Sequence, residues 1–585
     1  MTAGDASVIC CNGAPAKGFP KHQRLEYRAG MAARNVTVDL PAFVRDVFHI
    51  PPRTLDLLEI AAYVFAADRL TSRGPRDLVE FHTWARSFRF RVRVRDFEFW
   101  SDPKVRDALS EALKFMTGDE LYEFDFFGGH STHPTSLFDV EGHALTTAQR
   151  PLMVTLFSGG LDSLAGAVTA LSVPDNRLIL VSHQSQTGTM RTQNQLAEAL
   201  RSRFGKDRVS HYKFQCHLSG KRAQEETQRT RFFLYSTIGF AIANAYGLDS
   251  FYVCENGVTS INLRRREDLA NARASRTTHP LTAQLMSRLF SLVSAKPFSI
   301  DLPLIWRSKA AVIRSLEALG NAGLIASSVT CSRTYQRSGD ATHCGWCFQC
   351  IDRRMAIHAA GLERYDDAGL YAHDIILNDI EDPEARTTTV DYIRQAQRFA
   401  NGNIDSFEAE YLSELPAIAD GLSSTDELEI VGRVWELMKE HGENVNLAIR
   451  RMRELHDDPF QPLPRRSLLG LLADREFLKP EVARAVESIV EIVRHAIPEM
   501  FRDHRPKDEP DLNRKIGALL RTHEPKLTSE HPTVPFARAR VVPDHELDSF
   551  RLLIESKYVR KNTPPSKASE GMAADLTKYP SSAHI

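Results

Sequence analysis

An apolar run, Met153 to Phe157, passes straight into Ser158-Gly159-Gly160-Leu161-Asp162-Ser163, after which Leu164, Val168 and Leu171 recur at helical spacing. A glycine turn between strand and helix is common in α/β domains, and it is Ser-Gly-Gly-x-Asp-Ser at that turn that makes the signal specific. The glycines let backbone amides approach a phosphate, and the free amides and dipole of the first helical turn favour its negative charge. Ser158 and Ser163 add hydroxyl donors. Asp162 alone would repel phosphate, so its expected task is to hold Mg²⁺ bridging the phosphates. A second strand at Arg177 to Ser182 and continued alternation of strand and helix predict an α/β domain with a doubly wound parallel sheet over residues 148–365.

At 585 residues the chain is too long for one core. Composition shifts divide it into a poorly ordered start (1–35), an N-terminal α/β domain (36–147), the sheet domain (148–365), a helical region (366–480) and a small C-terminal α/β domain (481–585). With 74 basic and 75 acidic side chains the net charge is -1, so no global field points to nucleic acid or membrane. The longest apolar run, Phe232 to Tyr246, is too short and too polar for a bilayer and reads as a buried helix. The N-terminus lacks the succession of a secretory signal, and the expectation is a cytoplasmic protein with no membrane partner.

Within these segments, Thr54 to Leu70 has helical apolar spacing, while Phe88, Phe90, Val92 and Val94 alternate with Arg89, Arg91 and Arg93 as in a strand with one solvated face. Ser424 and Glu427 form a capping box before Leu428, Val431, Trp435 and Met438, which follow at helical spacing up to Gly442; the Trp435 and Met438 positions read as core. Helices are expected near Val486 to Phe501 and Leu512 to Arg521, with short strands around Val541 and Leu552.

Four of the eight cysteines, Cys331, Cys344, Cys347 and Cys350, have the spacing C-x12-C-x2-C-x2-C. Four thiolates with two-residue knuckles suit a closed, structural Zn²⁺ site. An iron–sulfur cluster uses the same ligands and is the competing reading.

Ser-Gly-Gly-x-Asp-Ser in this setting resembles the signature of the PP-loop ATP pyrophosphatases, which cleave ATP between the α and β phosphates to adenylate an acceptor. The resemblance implies a HUP-like sheet, ATP and Mg²⁺ as cofactors, and His183 and Gln184 near the base and ribose. It also implies that Lys309 is directed at the phosphates; the alternatives are a core or surface histidine and a solvated lysine. Together with Thr230-Arg231-Phe232-Phe233-Leu234, Cys254-Glu255-Asn256-Gly257, His279-Pro280-Leu281 and the cysteine set, the loop is similar to the QueC-type family over about residues 150–365. These are 7-cyano-7-deazaguanine synthases of queuosine biosynthesis. The likeness implies adenylation of a 7-carboxy-7-deazaguanine carboxylate, then amide and nitrile formation. It makes Arg231 the candidate anion clamp, with Arg273, Arg276 and His279 as looser candidates for the acceptor pocket, and Arg264 to Arg266 a solvated loop. His183-Gln184-Ser185-Gln186 departs from the family's Asp-Tyr-Gly-Gln. The N-terminal extension resembles QueC-like proteins of bacterial antiviral operons of the Qat and CBASS type, which implies transfer of the deazaguanine to a partner protein.

Pro543-Asp544, ten further residues and Glu555-Ser556-Lys557 match the PD-(D/E)xK pattern of restriction-endonuclease-like domains. There Asp544 and Glu555 would hold Mg²⁺ and Lys557 would activate water or steady phosphate charge, with DNA as partner. Glu509 resembles the helix acid of such domains, Asp548 competes for the metal position, and Tyr558-Val559 and Ala574 to Tyr579 suit a continuing strand and a following helix. The leading expectation is therefore an ATP-dependent deazaguanine-activating enzyme of phage defence. The alternatives are a DNA-cleaving effector whose PP-loop domain senses nucleotide, and a housekeeping queuosine enzyme.

Overall fold

Val154 and Leu156 have apolar neighbours on both faces, and the run Leu152–Leu156 (β6) accordingly lies inside a sheet. A computed structural model describes residues 6–26, 35–39, 50–73, 85–129, 151–184, 187–218, 223–225, 229–264, 276–333, 341–422, 427–456, 463–473, 481–523, 527–529, 534–536, 539–541, 543–547, 552–559, 567 and 570. Parallel to β6 run Arg177–His183 (β7), Val209–Leu218 (β8), Ser250–Val253 (β9) and Ser299–Asp301 (β10). The six-stranded order is β10-β9-β6-β7-β8-β3, with Val36–Asp39 (β3) antiparallel at the edge against β8. This is the doubly wound parallel sheet that the strand and helix alternation predicts. Chain order reverses at β6, between β9 and β7, and the crevice at that switch point is where ligands of such sheets bind.

The beginning of the chain departs from expectation. Ser7–Cys11 (β1) and Gln23–Leu25 (β2) are ordered strands, joined by Ser87–Arg93 (β4) and Leu121–Phe127 (β5) in a second, all-parallel sheet of order β2-β1-β4-β5. Long-range pairing with β4 stabilises β1, a partner that lies far away in sequence. The arginine strand behaves as read: Phe88, Phe90 and Val92 are buried, and the register sets Arg89 beside Glu123 and Arg91 beside Asp125. Both pairs are ion-paired, so these guanidiniums have acids on β5 as partners.

The helix Pro52–Leu70 is buried almost all round, acids included. Asp56 is met by Arg95 at 2.7 Å and by the Trp100 indole at 3.1 Å, and Asp68 by Arg86 at 2.7 Å. A buried carboxylate needs such partners. Asp68 also accepts from the Thr230 hydroxyl at 2.8 Å, which anchors the start of the helix Arg231–Ala245. One apolar core runs from Ile9 to Ile300 through both sheets. The segments 36–147, 148–365 and most of the helical region thus share one compact unit, Met1–Leu469, and a second unit comprises Gly470–Ile585.

The helices Pro383–Asn401, Ile404–Tyr411, Leu415–Gly421 and Glu427–His456 pack around Phe399, Phe407, Ile418, Val434 and Met438. Met438 is buried as expected and Trp435 packs against the same core, while Leu428 at the head of the series is 78% exposed. The last helix also runs on through Gly442. That glycine is a close-approach position: a Cβ there would lie 2.4 Å from the Ala396 carbonyl oxygen. Ser424 lies outside the described residues. No helix among the described residues is long and apolar enough to cross a membrane.

In the second unit, Thr528–Ser529 (β11), His545–Leu547 (β14) and Leu552–Ile554 (β15) form an antiparallel sheet of order β11-β14-β15, and Val534–Phe536 (β12) pairs with Ala539–Val541 (β13). The helices Glu481–Met500 and Glu509–His523 meet this sheet through Ile489, Leu512, Ile516, Leu547 and Leu552.

Candidate nucleotide site and cysteine centre

At the end of β6 the loop turns on Gly159, whose φ of +83° is left-handed backbone that favours glycine. A Cβ there would also press on Gln193 and Thr192, each at 3.3 Å. Gly160 opens the helix Leu161–Ser172 with no side-chain cap. The Gly160 amide donates to Ser158 Oγ and the Leu161 amide to Thr330 Oγ1, both at 3.3 Å, the long end for such bonds. Ser158 and Ser163 face each other at 3.2 Å across the turn. The loop therefore presents amides and hydroxyls that are only lightly engaged, as a phosphate cradle requires.

Lys309 decides what stands opposite. It begins the helix Lys309–Ala318, where the helix dipole disfavours a cation, and it is 1% exposed. Its Nζ lies 3.1 Å from Asp162 Oδ2 and 3.0 Å from Asp352 Oδ2. These are ion pairs without regular hydrogen-bond geometry. The reading of a solvated lysine is excluded. Burial alone would pull the ammonium down, but Asp162, Asp352 and Glu255 outweigh it and hold its pKa above the ordinary value. Glu255 is pushed well up by burial and then by Asp162, against the pull of Lys309. Burial would raise Asp352 too, yet Lys309, His441 and the hydrogen bond from Tyr392 keep it below the usual carboxylate range. Asn256 Nδ2 donates to Asp162 Oδ1 at 3.3 Å and completes the cage. Asp352 has no counterpart in the sequence reading; its signal is an acid two residues after the last knuckle cysteine.

The neighbouring candidates divide. The His183 ring stacks on Phe214 at 4.8 Å and meets Phe65 edge-on, so it belongs to the core. Gln184 holds the strand end through its amide, and its buried Nε2 has no hydrogen-bond partner among the described residues. Arg231 opens the helix Arg231–Ala245 one turn before Tyr235, whose hydroxyl donates to the Val181 carbonyl. The Arg231 side chain is exposed to solvent. His279 is a helix cap instead: its Nδ1 accepts from the Leu281 amide at 3.1 Å, its ring packs on Phe115, and burial lowers it to about 3. Arg276 lies over the same Phe115 ring, and Arg273 lies outside the described residues. Arg264 is no solvated residue either, since Glu414 pairs with it and the Tyr411 ring covers it.

The sulfurs of Cys331, Cys344, Cys347 and Cys350 all lie within 4.8 Å of one another. Tetrahedral thiolates around Zn²⁺ at about 2.3 Å are separated by about 3.8 Å, and the observed Cys344–Cys350 and Cys347–Cys350 separations are 3.9 and 3.4 Å. The Cys347 amide points at Cys344 Sγ, and Gly345 turns the knuckle at φ +94°, where a Cβ would strike the His373 carbonyl. The four thiols fit a closed zinc centre. Two straps tie it to the phosphate loop: Val329 N donates to Gly159 O at 2.9 Å, and Thr330 bonds both Leu161 and His343.

Residues 278–361 match queuosine biosynthesis protein QueC. The QueC-matched segment contains Lys309, Asp352 and all four cysteines, and it begins well after the phosphate loop. No curated protein matches the chain.

In the second unit, Asp544 just before β14 accepts from Asn513 Nδ2 and from the Ser556 amide, each at 2.6 Å. Lys557 Nζ lies 3.8 Å from Glu555 Oε2 and 3.7 Å from Glu509 Oε1. The predicted residues are therefore neighbours. The expected continuation of β15 through Tyr558-Val559 is absent, because the strand ends at Ile554. Among the described residues the four cysteines are the one group of three or more such side chains placed to share an ion. Asp548 and Ala574 to Tyr579 lie outside the described residues.

Proposed function

We propose that the chain uses ATP to activate the carboxylate of a 7-carboxy-7-deazaguanine-like base. The observation that carries this reading is Lys309, buried between the phosphate-loop acid Asp162 and the knuckle-helix acid Asp352 inside the QueC-matched segment. A carboxylate oxygen attacks the α-phosphorus, the bond to the β-phosphate's bridging oxygen breaks, and pyrophosphate leaves. Loop amides, Ser158, Ser163 and Lys309 take up the charge that develops on it. Arg231 receives the acceptor's anionic carboxylate. Three carboxyl groups face one ammonium, which suits a divalent cation arriving with the nucleotide; Asp162 and Glu255 are the residues that would hold Mg²⁺, and the ion would neutralise phosphate charge. An amine then displaces AMP from the acyl adenylate. Ammonia gives the amide, and a second adenylation, on the amide oxygen, lets that oxygen leave with AMP as the two N–H protons are lost, giving the nitrile; a partner protein's amine gives an amide link, the outcome suited to antiviral defence in the cytoplasm.

The test is pyrophosphate and AMP release by the full chain with ATP, Mg²⁺ and 7-carboxy-7-deazaguanine. Release is expected to require the deazaguanine and to fall about a hundredfold in Asp162→Asn, which removes the charge while keeping the shape. Equal release without the base overturns the reading. Free nitrile as sole product would favour a housekeeping queuosine enzyme over transfer to a protein.

A second reading, supported by the placement of Asp544 and Glu555 at the same end of the β14–β15 pair, with Lys557 between Glu555 and Glu509, is Mg²⁺-dependent DNA cleavage by the second unit. Under it, duplex DNA is cut without ATP, and Lys557→Ala slows cutting by about a hundredfold or more. Absence of cleavage by the unsubstituted chain removes this reading.

A further inference from the structure

The QueC match ends at residue 361, but the groups that hold Lys309 do not. From the helix Pro383–Asn401, the Tyr392 hydroxyl donates to Asp352 Oδ1 at 2.9 Å, while Lys309 lies 3.0 Å from the other oxygen, Oδ2. From the helix Glu427–His456, the His441 ring meets Tyr392 edge-on at 5.7 Å. Next to His441 in sequence, Glu440 Oε1 accepts from the Ser308 hydroxyl at 2.7 Å, and one turn on Asn444 Nδ2 donates to the same hydroxyl at 3.2 Å. Ser308 is the N-cap of the helix that Lys309 begins. Helices outside the matched segment thus hold the lysine's partner Asp352 and the residue before it, Ser308.

We infer that this helical segment is part of the reaction centre, and that Tyr392 is a positioning residue acting through Asp352 on Lys309. The inference rests on the adenylation reading and names the part of the chain that makes the site competent. Lys309 stands between two acids, and a nucleotide with its cation competes for only one of them, Asp162. Asp352 must then keep the ammonium in place while it takes up phosphate charge. A carboxylate free to rotate would do this poorly. With Oδ1 fixed by the Tyr392 hydroxyl, Oδ2 is left facing Lys309. The ring itself needs no hydroxyl to pack, since Phe348 and His441 contact its apolar part.

Tyr392→Phe therefore separates the two roles. A hydrogen bond to a charged group contributes about 1.5–3 kcal/mol, so kcat for pyrophosphate release should fall by about tenfold or more. KM for ATP should stay within about twofold, because Lys309 acts on charge that develops in the transition state. Zinc content and the thermal midpoint should match the unsubstituted protein. A second readout needs no turnover: acylation of Lys309 by an amine-reactive reagent, followed by peptide mass spectrometry, should accelerate by about tenfold in Tyr392→Phe as the cage loosens. Unchanged kcat with unchanged labelling overturns the inference, as does a lowered midpoint with kcat per folded molecule retained. If the unsubstituted chain releases no pyrophosphate, the adenylation reading fails; the labelling ratio then still decides whether Tyr392 holds Lys309.

Discussion

Lys309→Met is expected to abolish pyrophosphate release and to destabilise the first unit by about 3–5 kcal/mol at neutral pH, the usual effect of removing one partner from a buried ion pair. Methionine nearly fills the space of the lysine stem, so packing is spared and the loss is electrostatic. Asp162 and Asp352 would then face each other, with Glu255 beside them and no ammonium between. All five tryptophans, at positions 84, 100, 306, 346 and 435, lie in the first unit, so tryptophan fluorescence follows its unfolding without interference from the second.

The pH dependence of that loss distinguishes charge from packing. In the unsubstituted protein Asp352 is held below the ordinary carboxylate value, so its contribution is present above the unfolded pKa and is lost as pH falls through the folded one. In Lys309→Met the largest remaining influence on Asp352 is burial, which raises it. The carboxyl then binds a proton more readily folded than unfolded, and the penalty shrinks as pH falls. Between pH 7 and about pH 5 the variant should gain thermal stability relative to the unsubstituted chain. A deficit that is the same at both values would mean that Lys309 is held by packing and that the three carboxyls do not act on it.

Much of this site is written in contiguous residues. The glycine turn and the cysteine spacing each specify a local geometry, and the structure has the turn at Gly159 and the four sulfurs together. Lys309 is legible as a lysine at the start of a helix, but its burial is not, since burial depends on Asp352 and on the distant helices Pro383–Asn401 and Glu427–His456. Asp352 itself sits in a helix with Arg353 and Arg354, a string that reads as polar surface and is in fact buried. Arg264 was concealed for the same reason: its partners Glu414 and Tyr411 come from another segment. Gly442 carries an ordinary stop signal that tertiary packing overrides, because a neighbouring helix backbone occupies the space of its Cβ. His183 stands at the strand end where the loop resemblance puts a nucleotide contact, but Phe214 and Phe65 absorb its ring. The start of the chain was the largest difference, since β1 is stabilised by β4, which no local pattern around Cys10 and Cys11 reveals.

Removing the metal tests how far the cysteine centre serves the nucleotide site. Structural Zn²⁺ in isolated knuckles carries on the order of 10 kcal/mol of folding free energy, and four thiolates without an ion would repel one another or take up protons. Here the main core lies elsewhere, around both sheets, so metal loss should not unfold the unit. It should release the segment that the cysteines hold: Val329 and Thr330, which strap Gly159 and Leu161, and the helix Phe348–Ala360 that carries Asp352. The expected result of a strong chelator, or of Cys347→Ser, is loss of about one zinc per chain and a fall in pyrophosphate release of at least about a hundredfold. Trp346, between two of the ligands, should change its fluorescence, while circular dichroism of the sheet core persists. Zinc added back to the chelated protein should restore turnover, and visible absorption before chelation would instead identify an iron–sulfur cluster. Because Lys309 retains Asp162 even when Asp352 moves away, ATP should still bind metal-free protein more weakly but measurably. Full turnover without metal would show that the straps are dispensable and that the loop holds its shape through the turn at Gly159 and the Gln193 Nε2 donation to the Ser158 carbonyl at 3.3 Å.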